Sequence, residues 1–287
     1  MAQVVSTVFQ IDINNIKISD TRTAKVPNTS ATAASAGSDL NGMAALNAAE
    51  TIKKRMTVVA AEHFSVTAAE IEFRQNRIYA GNESVSFAEL AQITWSKRVS
   101  LSATGYYRTP DISWDPIKLK GNPFYYFSYG VCVSEVIIDT LTGESRVLRA
   151  DILQDCGKSL NPIVDIGQIE GAFVQGMGWL PSEELVWNED GRLITHGPST
   201  YKIPGSRDVP PEFNIHILED APNVFPTVFR SKAIGEPPLM LAISVWLAIR
   251  AAVASICDGN FMPKLNAPAT PEAILMAINE TRRYSKK

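Results

Sequence analysis

The sequence predicts an α+β fold in which β-hairpins and separate helices follow one another irregularly. Two observations support this fold class. Strand-like segments are followed by short turns and a second strand, and the helical segments stand between the hairpins. The order differs from the regular strand-helix alternation of a parallel α/β sheet. With 287 residues, 45% of them hydrophobic, the chain can bury a sizeable core.

The first half of the chain contains the signals of short, locally specified elements. Residues 2–9 continue a helical pattern already under way at Met1, so the chain looks cut from something longer. A turn and strand are expected over 11–18, and a helix from Leu40 to about Thr57. Residues 71–79 have a strand pattern, and the Ser86 to Glu89 capping-box spacing predicts a short helix over 86–93.

The second half predicts two hairpins, a further strand and three helices. The helix after Asp165 is unusual because it contains four glycines, each costing about 1 kcal/mol relative to alanine. The other expected elements are hairpins over 131–138/145–153 and 183–187/192–196, a strand over 212–218, a helix over 239–256 buried nearly all round, and a helix over 271–284 capped by Thr270.

Composition excludes several functional classes. A net charge of −3 with no extended basic cluster argues against a nucleic-acid partner. The N-terminus lacks a signal-peptide pattern, and the apolar run 239–249 is too short for a convincing membrane span. An odd number of widely spaced cysteines favours a reducing cytoplasm: Cys132, Cys156 and Cys257.

Familiar cofactor and nucleophile motifs are missing from the sequence. It contains no Gly-x-Gly-x-x-Gly, phosphate loop, His-Glu-x-x-His or Gly-x-Ser-x-Gly pattern. The histidines are scattered, at 63, 196 and 216, so no metal ligands are predicted. The chain is therefore not expected to bring its own nicotinamide, ATP or zinc site.

Two stretches could contact a polar ligand. The run of small and hydroxyl residues from Thr21 to Asp39 is either a flexible linker or a loop whose donors face a phosphate or amide. The helix that follows strengthens the anion-site alternative. The glycines at 167, 171, 176 and 178 imply close approach by another backbone or a ligand, and Gln168 on the same helix suits an amide or pterin edge.

The stretch Ser231 to Pro238 is the strongest candidate for chemistry. Gly235 permits unusual backbone angles, and two prolines stiffen the chain after Glu236. A partly desolvated carboxylate here would have a raised pKa and could act as a general base. The alternative is a helix-entry turn in which Glu236 only complements the helix dipole.

Several long motifs occur along the chain in a fixed order. They are Thr-Ala-Ala-Ser at 32–35, Ser-Ala-Thr-Gly-Tyr-Tyr-Arg-Thr-Pro at 102–110, Gly-Asn-Pro-Phe-Tyr-Tyr-Phe at 121–127, Ser-Leu-Asn-Pro at 159–162, Asp-Ile-Gly-Gln-Ile-Glu-Gly-Ala-Phe-Val-Gln-Gly at 165–176, Pro-Ser-Thr-Tyr-Lys-Ile-Pro at 198–204 and Ser-Lys-Ala-Ile-Gly-Glu-Pro-Pro at 231–238. Together they resemble the xanthine dehydrogenase/aldehyde oxidase family, in the C-terminal part of its molybdopterin-binding region. The resemblance implies an α+β molybdenum-cofactor-binding domain over 1–257, followed by a linker and C-terminal helix over 258–287.

The resemblance assigns roles to named residues. It implies that Glu236 is the catalytic glutamate, that Gln168 contacts the pterin, and that Ile234 and Gly235 flank the metal site. It also implies cofactor contacts from the backbone and hydroxyls of Thr32, Ala33, Ala34 and Ser35. Where the family often has a second serine, this chain has Gly37, so that contact differs.

The same resemblance implies a molybdenum hydroxylase that oxidises hypoxanthine and xanthine to urate in purine catabolism. Electrons would pass through 2Fe-2S clusters and FAD on other domains or subunits to NAD, within an expected oligomer. Because the family's upstream cofactor loop would precede Met1, we expect a truncated piece or split subunit that is inactive alone. The alternatives are an aldehyde oxidase or other N-heterocycle hydroxylase, and a non-catalytic binding or assembly module.

Overall fold

A computed structural model of the chain describes residues 1–20, 22–24 and 32–285. The chain divides into two compact units. The first comprises Met1–Tyr126 and Phe225–Val228, and the second comprises Phe127–Val224 and Phe229–Lys287. The division after residue 257 expected from the sequence stays a prediction.

The first unit packs helices against a small antiparallel sheet. Its core includes Phe9, Met56, Ile78 and Leu90. The elements are α1 (Ala2–Phe9), α2 (Gly42–Phe64), β1 (Ile71–Arg74), β2 (Arg77–Ala80), β3 (Glu83–Ser86), α3 (Phe87–Ser96), β4 (Ser113–Asp115) and β5 (Lys120–Asn122). Strands β1, β2 and β3 form one antiparallel meander, and β4 pairs with β5.

Two details of the first unit differ from the sequence prediction. The strand expected within 11–18 is wrong, since a 3₁₀ turn over Ile13–Asn15 forms there, with the Asp12 side chain accepting from the Asn14 N–H. The single strand over 71–79 is two strands, because Gln75 and Asn76 adopt left-handed angles that reverse the chain.

The second unit contains a three-stranded sheet with helices on one face. Its elements are β6 (Gly130–Ile138), β7 (Ser145–Gln154), α4 (Pro162–Trp179), β8 (Glu212–Ile217), α5 (Ile243–Ala254) and α6 (Pro271–Tyr284), with a 3₁₀ segment over Pro237–Ala242 before α5. Strands β6 and β7 form the predicted antiparallel hairpin. Side chains of α4, α5 and α6 meet inward residues of the sheet, such as Ile152, in one core.

The predicted fold class is confirmed, but the second unit holds one feature that the sequence pattern hid. Strand β8 pairs with β7 in parallel, with α4 in the connection. The hairpin expected over 183–187 and 192–196 forms only in part. The chain reverses there, with one antiparallel bridge between Trp187 and Leu193 and a hydrogen bond from the Ile194 N–H to the Val186 carbonyl, but no regular strands form.

Helix α5 is buried on one side only. Val245, Ile249 and Val253 are four residues apart and each is at most 1% exposed, whereas Leu247 is 50% exposed. The expected burial nearly all round is therefore wrong, because within this chain only one stripe of α5 packs against the core.

One helical stretch in the described part of the chain, Pro237–Cys257, has the length and hydropathy of a membrane span. It exceeds the predicted apolar run because 3₁₀ turns extend α5 at both ends. Core helices pass the same test, and the buried stripe of α5 belongs to the core of the second unit.

Candidate functional site

Glu236 lies at the start of a stiff turn, and the fold makes no use of its carboxylate. The Leu239 N–H donates to the Glu236 carbonyl at 3.1 Å, but the side chain caps nothing. The carboxylate accepts no hydrogen bond from a described residue, and the residue is exposed. The predicted desolvation is therefore wrong for this chain, because none of the described residues packs over the side chain.

The turn after Glu236 is held against α4. A Cβ on Gly176 would lie 2.4 Å from the Leu239 carbonyl oxygen and 2.9 Å from the Ala242 Cβ. No side chain fits in that space. Pro238 and Ala242 are also buried, so the backbone that follows Glu236 has little freedom to move.

The chain before Glu236 is fixed by a second contact. The Lys232 N–H donates to the Cys156 carbonyl at 2.7 Å, and the Lys158 N–H donates to the Arg230 carbonyl at 2.9 Å. Between these bonds, Gly157 has a φ of 65°, and a Cβ there would lie 2.5 Å from the Arg230 carbonyl oxygen. The segment 230–232 is therefore tied to the segment 156–158.

Ile234 and Gly235 connect this contact to Glu236. Both are half-buried, and the Ile234 side chain packs against the core of the second unit. The expectation that they flank the metal site stays a prediction.

Gln168 lies on an open face of α4. Its side chain is exposed and makes no hydrogen bond to a described residue. A Cβ on Gly167 or Gly171 would meet nothing within 4 Å, whereas Gly176 and Gly178 are tightly packed. The close approach predicted from the glycines is thus made by other parts of the protein at Gly176 and Gly178. At Gly167 and Gly171 the helix backbone is uncovered, next to the unpaired amide of Gln168.

The loop before α2, in the first unit, has a strained backbone. Ala34 and Ser35 adopt φ values of 54° and 52°, a conformation that costs an L-residue about 1–2 kcal/mol. Such strain is concentrated at functional sites. The loop leads through a π-helical turn, Gly37–Asn41, into α2, while Thr32 and Ala33 are exposed. Residue 21 and residues 25–31 of the predicted small-residue run lie outside the described residues.

Asp39 follows this loop and has an unusual environment. Its Oδ2 accepts from the Tyr126 hydroxyl at 2.5 Å, while its buried Oδ1 has no hydrogen-bond partner among the described residues. Burial raises the pKa of Asp39, and the Tyr126 hydrogen bond opposes this shift.

The predicted residues fall into both units. Thr32 to Ser35 belong to the first, whereas Gln168, Ile234, Gly235 and Glu236 belong to the second. Within the second unit, the helix that bears Gln168 packs on the turn that follows Glu236. Among the described residues, no group of three or more His, Cys, Asp or Glu side chains is arranged to hold a metal ion.

One ion pair near this turn could not be predicted from the sequence. Asp155 and Lys232 form a buried ion pair although they are 77 positions apart. Lys232 belongs to the motif at 231–238, but nothing in the sequence indicates that Asp155 is its partner, and only the folded chain brings the two together.

Comparison with solved structures identifies the fold. The chain superposes on CO dehydrogenase from Oligotropha carboxidovorans with a TM-score of 0.81 at 18% identity, covering 99% of this chain and 34% of that one. It superposes equally well on quinoline 2-oxidoreductase from Pseudomonas putida 86, with a TM-score of 0.81 at 23% identity, covering 97% and 34%. At these identities the likeness is one of fold.

Sequence comparison identifies the family. The profile of the molybdopterin cofactor-binding domain matches residues 1–210, so the chain belongs to that family. It is 46% identical over 280 residues to the xanthine dehydrogenase/oxidase of Felis catus, which covers 96% of this chain and 20% of the relative. It is 45% identical over 280 residues to the xanthine dehydrogenase of Dictyostelium discoideum, with 96% and 19% covered. The chain thus spans about a fifth of the length of these relatives.

The residues present suit the cofactor that gives the family its name. A pterin ring has an edge of alternating donors and acceptors, which the free amide of Gln168 beside bare glycine backbone can match. The strained loop 32–35 lies just before a helical N-terminus, where unpaired N–H groups favour anionic or polar ligands. Gln168 in the second unit and the loop 32–35 in the first unit are thus each suited to contact the cofactor.

Proposed function

We propose that this chain is part of a molybdenum hydroxylase, in which it binds the molybdopterin cofactor and supplies Glu236 as the general base. One observation carries the proposal. Glu236 is an exposed carboxylate on a turn fixed at both ends, and it serves no structural purpose in a chain of the molybdopterin-binding family. A carboxylate held in this way is available to accept a proton.

The residues of the chain would divide the work as follows. Bound molybdenum cofactor supplies the redox chemistry of hydroxylation. Glu236 accepts the proton released in the reaction, and its fixed turn holds the backbone from which the side chain projects. Gln168 would orient the pterin edge, and the loop 32–35 would hold the cofactor through backbone N–H and hydroxyl groups. Ile234 and Gly235 would flank the metal site.

The proposed substrate is a purine. Identity of about 45% to xanthine dehydrogenases over nearly the whole chain supports oxidation of hypoxanthine and xanthine to urate, a step of purine catabolism. Electrons would then leave through 2Fe-2S clusters and FAD on other domains or subunits to NAD, in a cytoplasmic oligomer. A second candidate is an aldehyde or another N-heterocycle, because quinoline 2-oxidoreductase has the same fold.

The test is the isosteric substitution Glu236→Gln in the intact protein that contains this chain. We expect turnover of xanthine to fall by about 10²–10⁴-fold, the usual contribution of a general base. Molybdenum and pterin content should stay unchanged, since the fold does not use the carboxylate. Glu189→Gln, at another exposed glutamate, is the matched control and should retain full activity.

Two results would count against the proposal. Full turnover by Glu236→Gln with full cofactor content would exclude the role of general base. A kcat/KM for an aromatic aldehyde far above that for xanthine in the unsubstituted protein would favour the second candidate substrate over the purine.

A further inference from the structure

Among the described residues one ion pair is buried, and its lysine lies four residues before Glu236. The Lys232 Nζ donates to the Asp155 Oδ2 at 2.5 Å, and the two side chains are 11% and 7% exposed. In every other ion pair of the described residues, both side chains are more than a third exposed. A buried pair is held in one geometry, whereas exposed pairs exchange readily with water.

Further contacts hold both members of this pair. The second carboxylate oxygen of Asp155 accepts from the Gly157 N–H at 2.8 Å, and the Lys232 ammonium lies 5.3 Å from the ring centroid of Tyr129. The Asp155 backbone also donates to the Tyr129 carbonyl at 2.8 Å and accepts from the Ser128 hydroxyl at 2.6 Å. The position of Asp155 is therefore also fixed by contacts other than the ion pair with Lys232.

The pair adds a side-chain bond to the backbone contact already described. The Lys232 N–H donates to the Cys156 carbonyl at 2.7 Å, so both ends of the lysine are bound to the segment 155–157. Four residues later the chain reaches Glu236, and beyond it the turn is held by Gly176. Residues 233–236 therefore connect two fixed positions, Lys232 on one side and the turn packed against Gly176 on the other.

We infer that Asp155 and Lys232 are positioning residues for Glu236. Their ion pair fixes the position at which the Gly-Glu-Pro-Pro turn begins. It also binds the ammonium group of Lys232, the lysine nearest in sequence to Glu236, so that this group is not paired with the Glu236 carboxylate. Buried ion pairs seldom add net stability, so a role in geometry accounts for this one better than a role in stability. The inference rests on the proposed function of Glu236.

The first test measures the turn itself, without turnover. Hydrogen exchange followed by mass spectrometry on the intact protein should show exchange over 231–236 at least about tenfold faster in Asp155→Asn and in Lys232→Met. Arg149→Met is the matched control, because it breaks an exposed pair with Asp151 within β7, the strand that ends just before Asp155. It should leave exchange over 231–236 unchanged, and an equal effect of all three substitutions would overturn the inference.

The second test asks whether the pair acts through Glu236. Asp155→Asn should lower kcat by on the order of 10–100-fold, as expected from a misplaced catalytic group, with cofactor content retained and KM changed less. In a Glu236→Gln background the same substitution should change kcat less than about twofold. Equal losses in both backgrounds would overturn the inference.

The experiments also distinguish failure of the proposed function from failure of the positioning role, and they allow for a single variant that does not fold. If Glu236→Gln alone has no effect, the proposed function fails, and the exchange experiment still decides whether the pair holds the turn. If a single variant does not fold, Asp155→Leu combined with Lys232→Met removes both charges and leaves no unpaired ion. The double variant should fold, retain cofactor and show the same loss of kcat; full activity would overturn the inference.

Discussion

The packing of α4 against the Glu236 turn can be tested with two glycines on the same helix. Gly171 and Gly176 are both interior to α4, so replacement by alanine should gain about 1 kcal/mol of helix propensity at either position. At Gly171 the new Cβ meets nothing within 4 Å, and the full gain is expected. Gly171→Ala should therefore stabilise the chain by about 1 kcal/mol.

Gly176→Ala should behave in the opposite way. The new Cβ would lie 2.4 Å from the Leu239 carbonyl oxygen, so the turn must move by roughly 1 Å to restore an ordinary contact. Overpacking of this kind costs about 1–3 kcal/mol. Because the propensity gain is common to both variants, the difference between them isolates that cost.

Urea denaturation of the purified chain and both variants measures this difference. Gly171→Ala should raise the denaturation midpoint, and Gly176→Ala should lie below it by about 1–3 kcal/mol at an unchanged m-value. If the two variants are equally stable, the contact between α4 and Leu239 is not formed in solution. The mechanical support proposed for Glu236 would then be lost with it.

Two further predictions concern single contacts. Because burial raises the pKa of Asp39 above its ordinary 3.8, the folded chain holds this proton more tightly than the unfolded chain, and the associated stability is lost as the pH rises through the raised pKa. Asp39→Asn should therefore raise the free energy of unfolding at pH 7 and change it little at pH 3; equal changes at both would contradict the assignment. Thr270→Ala should cost about 1 kcal/mol, since the hydroxyl accepts from the Ala273 N–H at the start of α6, whereas Thr270→Ser should cost less in thermal or urea unfolding. Equal losses in both variants would assign the effect to the methyl group.

Elements with local signals were predicted correctly from the sequence. The capping box of Ser86 and Glu89 begins α3, Thr270 caps α6, and the turn after Ile138 closes the hairpin of β6 and β7. In each case the deciding hydrogen bonds join residues only a few positions apart, so the segment itself contains the information.

Elements that depend on partners distant in the sequence were not predicted correctly. The strand expected within 11–18 finds no partner strand, and the pattern at 183–196 forms only one bridge. The parallel pairing of β8 with β7 was not predicted, because the residue pattern of a strand does not indicate which strand it pairs with. Alternation of side chains fixes which face is buried, whereas pairing depends on the whole core.

The candidate site divides along the same line. The sequence by itself determined the family motifs, and with them Glu236, Gln168 and the loop 32–35 as candidates, because these are contiguous residue types with a chemical purpose. Only the tertiary structure decided that Glu236 is exposed, that α4 packs at Gly176 and is open at Gly171, and that Asp155 reaches Lys232. Burial and ion pairing arise from groups far apart in the chain, so the physical state of a residue is settled by folding even where its identity is settled by sequence.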